Sequence, residues 1–155
     1  FTDLMVTTAT PLAIMKEHLA VQLPTLSSMF WGNIAGSLGE TSAFALLLGA
    51  AYLMVRKIID WRIPLSYIGT VVVLAMIFGQ NPLFHVLAGG LILGAFFMAT
   101  DYVTSPISSR GKILFGIGAG VLVITIRLWG GYPEGVCYSI LLMNAVTPLL
   151  DKIKN

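Results

Sequence analysis

Lys112-Ile113-Leu114-Phe115-Gly116-Ile117-Gly118-Ala119-Gly120-Val121-Leu122-Val123-Ile124-Thr125-Ile126-Arg127 places fourteen uncharged residues between two cations. With its flanks this run predicts a membrane helix over 111–128, close to the roughly 20 residues that cross a hydrocarbon core. Four more apolar runs surround it, at 41–59, 64–79, 83–100 and 135–150. Proline and glycine punctuate the junctions: Pro64 at a helix start, Gly79-Gln80-Asn81-Pro82 as a turn, Ser105-Pro106, and Gly130-Gly131-Tyr132-Pro133. The pairs Gly90 with Gly94 and Gly116 with Gly120 have the small-xxx-small spacing that lets helices approach closely. The fold expected is an all-α integral membrane bundle of about five spans.

Composition agrees. The 155 residues are 57% hydrophobic and 10% charged, with mean hydropathy +0.89, whereas soluble domains carry about 25% charged residues. A water-soluble enzyme is excluded on that ground, and lipid must be much of the solvent. The net charge of +2 is too small and scattered for a grip on nucleic acid. Cys137 is the only cysteine, so the chain by itself builds no disulfide, iron–sulfur cluster or Cys-based zinc site. Phe1 opens the chain with no basic segment leading an apolar one, so no signal peptide is read and the chain is expected to be part of a longer one.

Arg56, Lys57 and Arg62 lie between spans one and two, Arg110 and Lys112 between three and four, and Lys152 and Lys154 after five. Cytoplasmic loops retain Lys and Arg, so this side is expected to be cytoplasmic and residues 1–40, with the turns near 80 and 130, extracytoplasmic. Two regions follow: an outer segment 1–40 with a short helix, and a five-helix domain 41–155. An odd number of spans means that a duplicated ancestor has inverted halves, as in many transporters.

Within 1–40, Thr10 fits an N-cap, with Pro11 at N1 of a stretch Leu12 to Gln22. A cap hydroxyl there is also where a phosphoester's negative charge is favoured by the helix dipole. Ser37-Leu38-Gly39-Glu40 fits a capping box at the start of the first span, the preferred reading; the glycine-rich backbone also allows close approach of a ligand, with Glu40 as a hydrogen-bond partner or cation site, and neither reading excludes the other. Asp101, beside Tyr102, Thr104 and Ser105, reads as a solvated helix end or as part of a polar ion or cofactor site. Arg127 and Glu134 flank the turn between the fourth and fifth spans and are expected to pair with each other, the alternative being that they address a phosphate. His18 and His85 are not placed together, and His85 reads as an interfacial polar residue. Trp31, Trp61 and Trp129 fit an aromatic belt.

Ala9-Thr10-Pro11-Leu12, the stretch from Trp31 through Gly36-Ser37-Leu38-Gly39-Glu40 to Ser42, Phe97-Met98-Ala99-Thr100-Asp101, Gly131-Tyr132-Pro133-Glu134-Gly135-Val136 and Leu142-Met143-Asn144 resemble the D subunit (RnfD) of the Rnf electron-transport complex. They are similar as well to the related B subunit of the sodium-pumping NADH:quinone reductase. The resemblance runs over nearly the whole chain and implies the C-terminal half of a subunit of about ten spans, one half of an inverted-repeat bundle like that of urea transporters. It implies FMN esterified to Thr10 by a dedicated flavin transferase, with Thr8 and Ala9 completing the attachment motif and Gly36, Ser37, Gly39 and Glu40 near the flavin. Thr8 stands where the family more often has glycine or serine. A second, noncovalent flavin such as riboflavin is allowed for, and other subunits of the complex are the implied partners. The implied role is electron relay in a ferredoxin:NAD oxidoreductase coupled to Na⁺ or H⁺ transport in a bacterial or archaeal cytoplasmic membrane. A solute channel of the urea-transporter kind, without redox activity, is the alternative.

Overall fold

The computed structural model describes Leu12 and residues 25–31, 42–132 and 134–152, and every regular element among them is helical. These are α1 (Leu26–Trp31), α2 (Ala43–Val55), α3 (Arg62–Ile77), α4 (Pro82–Leu87), α5 (Leu91–Leu93) running into a π-helical turn (Gly94–Met98), α6 (Ser109–Trp129) and α7 (Val136–Leu150). At 1.5 Å per residue, α6 is about 31 Å long, which matches a hydrocarbon core. It is the one described helix long and apolar enough to cross a membrane; α2, α3 and α7 are apolar but shorter.

α6 is the centre of the bundle, packed on one side by α3 and on the other by α7. Glycine makes the first contact possible. A Cβ on Gly116 would stand 2.8 Å from the Ile63 carbonyl oxygen and 2.9 Å from the Tyr67 nitrogen, and one on Gly120 would stand 3.0 Å from the Tyr67 carbonyl oxygen. Backbone therefore meets backbone, which is how helices associate where the surroundings are as apolar as leucine. Tyr67, Val71, Phe115, Ala119 and Val123 fill the seam. The Tyr67 hydroxyl and the Ser139 hydroxyl, both buried, share a 2.8 Å hydrogen bond that ties α3 to α7. The outward faces carry Leu48, Leu65, Val73, Ile77, Leu141 and Leu149, all exposed. Exposed apolar residues of this size on every long helix mark faces that lipid or another protein covers.

The first and third spans depart most from what the sequence predicts. The first span, expected over 41–59, is helical over Ala43–Val55; it stops at Arg56, and Lys57 turns left-handed at φ 55°. Its N-cap is Ser42, whose hydroxyl accepts from Ala45 N–H at 3.4 Å, so Ser37-Leu38-Gly39-Glu40 is not the capping box of this helix. The third span, expected as one helix over 83–100, is broken: α4 ends at Ala88, and Gly89 and Gly90 follow at φ 66° and 65°. Gly90 thus serves a turn and not the packing stripe expected of it, whereas Gly94 does pack, with Val136 where its Cβ would be. The division near residue 40 falls outside the described residues.

The basic loops gather at one end. Asp60 receives Lys112 Nζ at 2.9 Å and lies 3.6 Å from Arg62 Nη1, while Arg62 Nη1 also donates to Ser109 Oγ at 2.7 Å. Burial alone would raise the Asp60 carboxyl, but the hydrogen bonds from Lys112 and the Arg62 N–H, with both positive charges, hold it below its ordinary value. Asp151 accepts from Ile107 N–H at 2.8 Å at the same end. At the other end Trp129 meets Phe78 edge to face at 5.1 Å.

Candidate functional site

The break in the third span builds the site. Asn81 caps α4, its side-chain oxygen accepting from Leu83 N–H at 3.1 Å and Phe84 N–H at 3.4 Å, with Pro82 following. Beyond the helix end the chain reaches two successive left-handed residues, a conformation only glycine adopts without strain. α4 therefore ends inside the protein, with carbonyls aimed inward that no following turn can satisfy.

Arg127, in the last turn of α6, satisfies them. It is 3% exposed. Nη1 donates to the His85 carbonyl at 2.6 Å, Nη2 to the Ala88 carbonyl at 3.0 Å and Nε to the Glu134 carbonyl at 3.0 Å. A cation at the C-terminal end of a helix is favoured by the macrodipole, and a guanidinium presents its donors in a fork that reaches two strands of chain at once. Arg127 and Glu134 do meet, as the sequence predicts: the Glu134 carboxylate attracts the guanidinium, and the Glu134 main-chain carbonyl accepts from Nε. His85 is not interfacial: it is wholly buried beside Phe84, and neither ring nitrogen has a hydrogen-bond partner among the described residues.

Beyond this knot lies a cavity of about 370 Å³ lined by Gly89, Gly90, Met98, Tyr132, Glu134 and Tyr138, among others. Tyr132 and Tyr138 stack at 4.9 Å between ring centres with 31° between planes. Leu12 closes the knot from the N-terminal side. It is buried against Met29, Phe84 and Ala88, and its Cδ1 occupies the space a Cβ on Gly89 would take, a point 3.0 Å from Arg127 Nη2. The lining suits an aromatic ligand: the phenol rings of Tyr132 and Tyr138 and the Met98 thioether offer apolar faces beside the Gly89-Gly90 turn.

Thr8, Ala9, Thr10, Gly36, Ser37, Gly39, Glu40 and His18 lie outside the described residues. Asp101 is exposed and accepts from Thr104 Oγ1 at 3.2 Å, which is the solvated helix end of the two readings. Trp31, Trp61 and Trp129 are exposed, as a belt requires. Sequence reasoning did not single out Gly89 or the carbonyl cluster around Arg127. The signals were an adjacent Gly-Gly inside an apolar run and an arginine inside the membrane end of another.

The sequence matches the NQR2, RnfD, RnfE family over residues 2–155. It is 50% identical over 149 residues to the D subunit of the Na⁺-translocating ferredoxin:NAD⁺ oxidoreductase complex of Acetobacterium woodii, covering 95% of this chain and 47% of that protein. It is 54% identical over 162 residues to the D subunit of the proton-translocating ferredoxin:NAD⁺ oxidoreductase complex of Clostridium ljungdahlii, covering 95% and 49%. The D subunit of the ion-translocating oxidoreductase complex of Stutzerimonas stutzeri is 50% identical over 147 residues, 90% of this chain and 40% of that one. The chain spans about half the length of the curated relatives it matches. With a match along nearly its full length, this membrane protein belongs to the NQR2, RnfD, RnfE family.

Proposed function

We propose that this chain is the flavin-bearing half of an RnfD-type subunit, carrying FMN on Thr10 and relaying electrons within an ion-translocating ferredoxin:NAD⁺ oxidoreductase together with the complex's other subunits. The observation that carries the reading is Leu12 seated on the Gly89 turn beside Arg127 and the tyrosine-lined cavity. Thr10 stands two residues before Leu12 in sequence, a short covalent tether to that cavity. When bound, the flavin supplies the acceptance and release of electrons. The chain's own part is positional. Gly89 and Gly90 make the turn, Gly89 leaving room for Leu12, Tyr132 and Tyr138 present ring faces, and Arg127 locks the backbone that frames them.

The five spans are read as one half of an inverted-repeat bundle, with residues 1–40 outside the cell and maturation by a flavin transferase. Broken helices also line solute and ion paths, where freed carbonyls coordinate cations. Here the carbonyls of His85 and Ala88 already receive a guanidinium. A second cation beside them meets repulsion, which favours the redox reading over a cation path at this point.

The test is in-gel flavin fluorescence of the full subunit co-expressed with the flavin transferase, with intact-mass measurement alongside. Thr10→Ala is expected to abolish the fluorescence and the mass increment. Full fluorescence in that variant overturns the assignment, and loss only in Thr7→Ala or Thr8→Ala moves it.

A further inference from the structure

Two cavities meet at the corner between α2 and α3. One, about 480 Å³, opens among Lys57, Asp60, Trp61, Tyr102 and Lys112. The other, about 390 Å³, is a wholly apolar groove running along α3 past Leu65, Ile68, Gly69 and Val72 to Phe96. Met54 and Trp61 belong to both walls, so a polar mouth leads into an apolar slot. Cations outnumber the carboxylate at the mouth: Asp60 is engaged by Lys112 and Arg62, while Lys57 has no ion-pair partner among the described residues.

The backbone gives Lys57 a second distinction. Lys57 N–H donates to the Met54 carbonyl at 2.9 Å and Ile58 N–H to the Leu53 carbonyl at 3.0 Å, closing α2 around a left-handed residue at φ 55°. Glycine is the unstrained choice at such a helix end. A lysine held there points to use of its ammonium. Gly69, in the groove, is the converse: a Cβ on it would meet nothing within 4 Å, so the slot is open space and not a packing defect.

We propose that the joined cavities form a binding site for an anionic phospholipid, its phosphate held at the mouth by Lys57 and one acyl chain laid in the α3 groove. The Lys57 charge favours a headgroup of net negative charge over a zwitterionic one, Trp61 marks the depth of the interface, and the apolar slot accepts a chain. The site rests on the membrane-spanning reading of the chain and not on which face is cytoplasmic.

The two ends of the site are separable by variants that leave the fold sound. Lys57→Gly removes the ammonium while relieving the backbone, and Gly69→Leu fills the groove at an open helical position. The experiment is native mass spectrometry of the purified, delipidated complex titrated with dioleoyl phosphatidylglycerol or dioleoyl phosphatidylcholine. Wild type is expected to retain phosphatidylglycerol in preference. Lys57→Gly should weaken phosphatidylglycerol about five-fold, the effect of one lysine at a membrane surface, and weaken zwitterionic phosphatidylcholine less, narrowing the preference between the two. Gly69→Leu should weaken both. Equal retention of the two lipids by wild type, or unchanged binding in both variants, overturns the site. Failure of Trp61→Cys to react with maleimide in the delipidated complex also overturns it, because a neighbouring polypeptide then covers the mouth. Alkaline carbonate releasing the chain from membranes defeats the membrane reading itself; a chain that stays in the membrane with unchanged lipid binding defeats only the lipid site.

Discussion

Arg127 Nη1 donates to the carbonyl oxygen of His85 at 2.6 Å, joining the end of α6 to the end of the broken helix α4 across 42 positions of sequence. The bond means that a charge deep in the protein is consumed structurally. Three carbonyls depend on it, and each left unpaired in apolar surroundings costs about 1–3 kcal/mol. Arg127→Gln is therefore expected to destabilise the protein by about 3 kcal/mol or more, read as a lower Tm in detergent. Arg127→Lys keeps the charge and loses the fork, and should recover only part of that loss.

Gly116 and Gly118 lie on different faces of α6 and predict opposite outcomes for the same change. At Gly116 an added methyl meets the backbone of α3, which cannot move aside without opening the seam. At Gly118 it meets the end of the Met143 side chain, 2.7 Å from Cε and Sδ, which can rotate away. Gly116→Ala should cost about 1–3 kcal/mol by overpacking, whereas Gly118→Ala should be near neutral. Comparing their Tm values in one detergent checks the geometry of the α3–α6 contact.

Asp60 gives a pH dependence of known sign. Its carboxyl is depressed in the fold, so it contributes stability that is complete above the ordinary value of 3.8 and is lost as pH falls through the lower folded value. The cluster is partly exposed, so the contribution is about 1 kcal/mol at most. Thermal unfolding followed as pH falls below about 4 should show a decline that Asp60→Asn removes in part.

The residues on α3 and α6 show what was legible in the sequence. The four-residue spacing of Gly116 and Gly120 states a close contact directly, because a missing side chain is a local fact. The same spacing at Gly90 and Gly94 misled, since a glycine at positive φ and a glycine at a tight contact are the same letter. His85 and Arg127 were harder still. Their burial depends on where α4 stops, and the groups that satisfy Arg127 are main-chain carbonyls, which no residue type announces. The first cap shows the opposite case: Ser37 and Ser42 both precede the helix, and only the structure selects Ser42. The grouping expected around Thr10 and Glu40 falls outside the described residues and stays with experiment.

Topology is accessible to labelling. Seven of the nine basic residues fall in the loops on one side, and the structure brings Lys57, Arg62 and Lys112 to one end of the bundle beside Asp60. Cys137 is exposed and must first be replaced by serine. In that background Thr25→Cys should react with an impermeant maleimide in intact cells and Asn155→Cys should not. Reversed labelling would invert the orientation and remove the outward placement on which attachment at Thr10 depends.

Glu40 supplies the last prediction. Because Ser42 caps α2 with its own hydroxyl, a capping duty toward that helix is already discharged without Glu40. On the proposed flavin-bearing reading, the Glu40 carboxylate is expected to act through its charge, by its field on the flavin or its affinity for a cation. Glu40→Gln keeps the size and most of the hydrogen-bonding capacity and deletes the charge. FMN should remain attached at Thr10 in this variant, with normal assembly, while ferredoxin- or NADH-driven reduction and ion uptake by the reconstituted complex slow. In-gel fluorescence reports attachment, and the two rates report the charge. Wild-type rates at full fluorescence would reduce Glu40 to an uncharged role in local structure, and loss of fluorescence would place it in attachment instead.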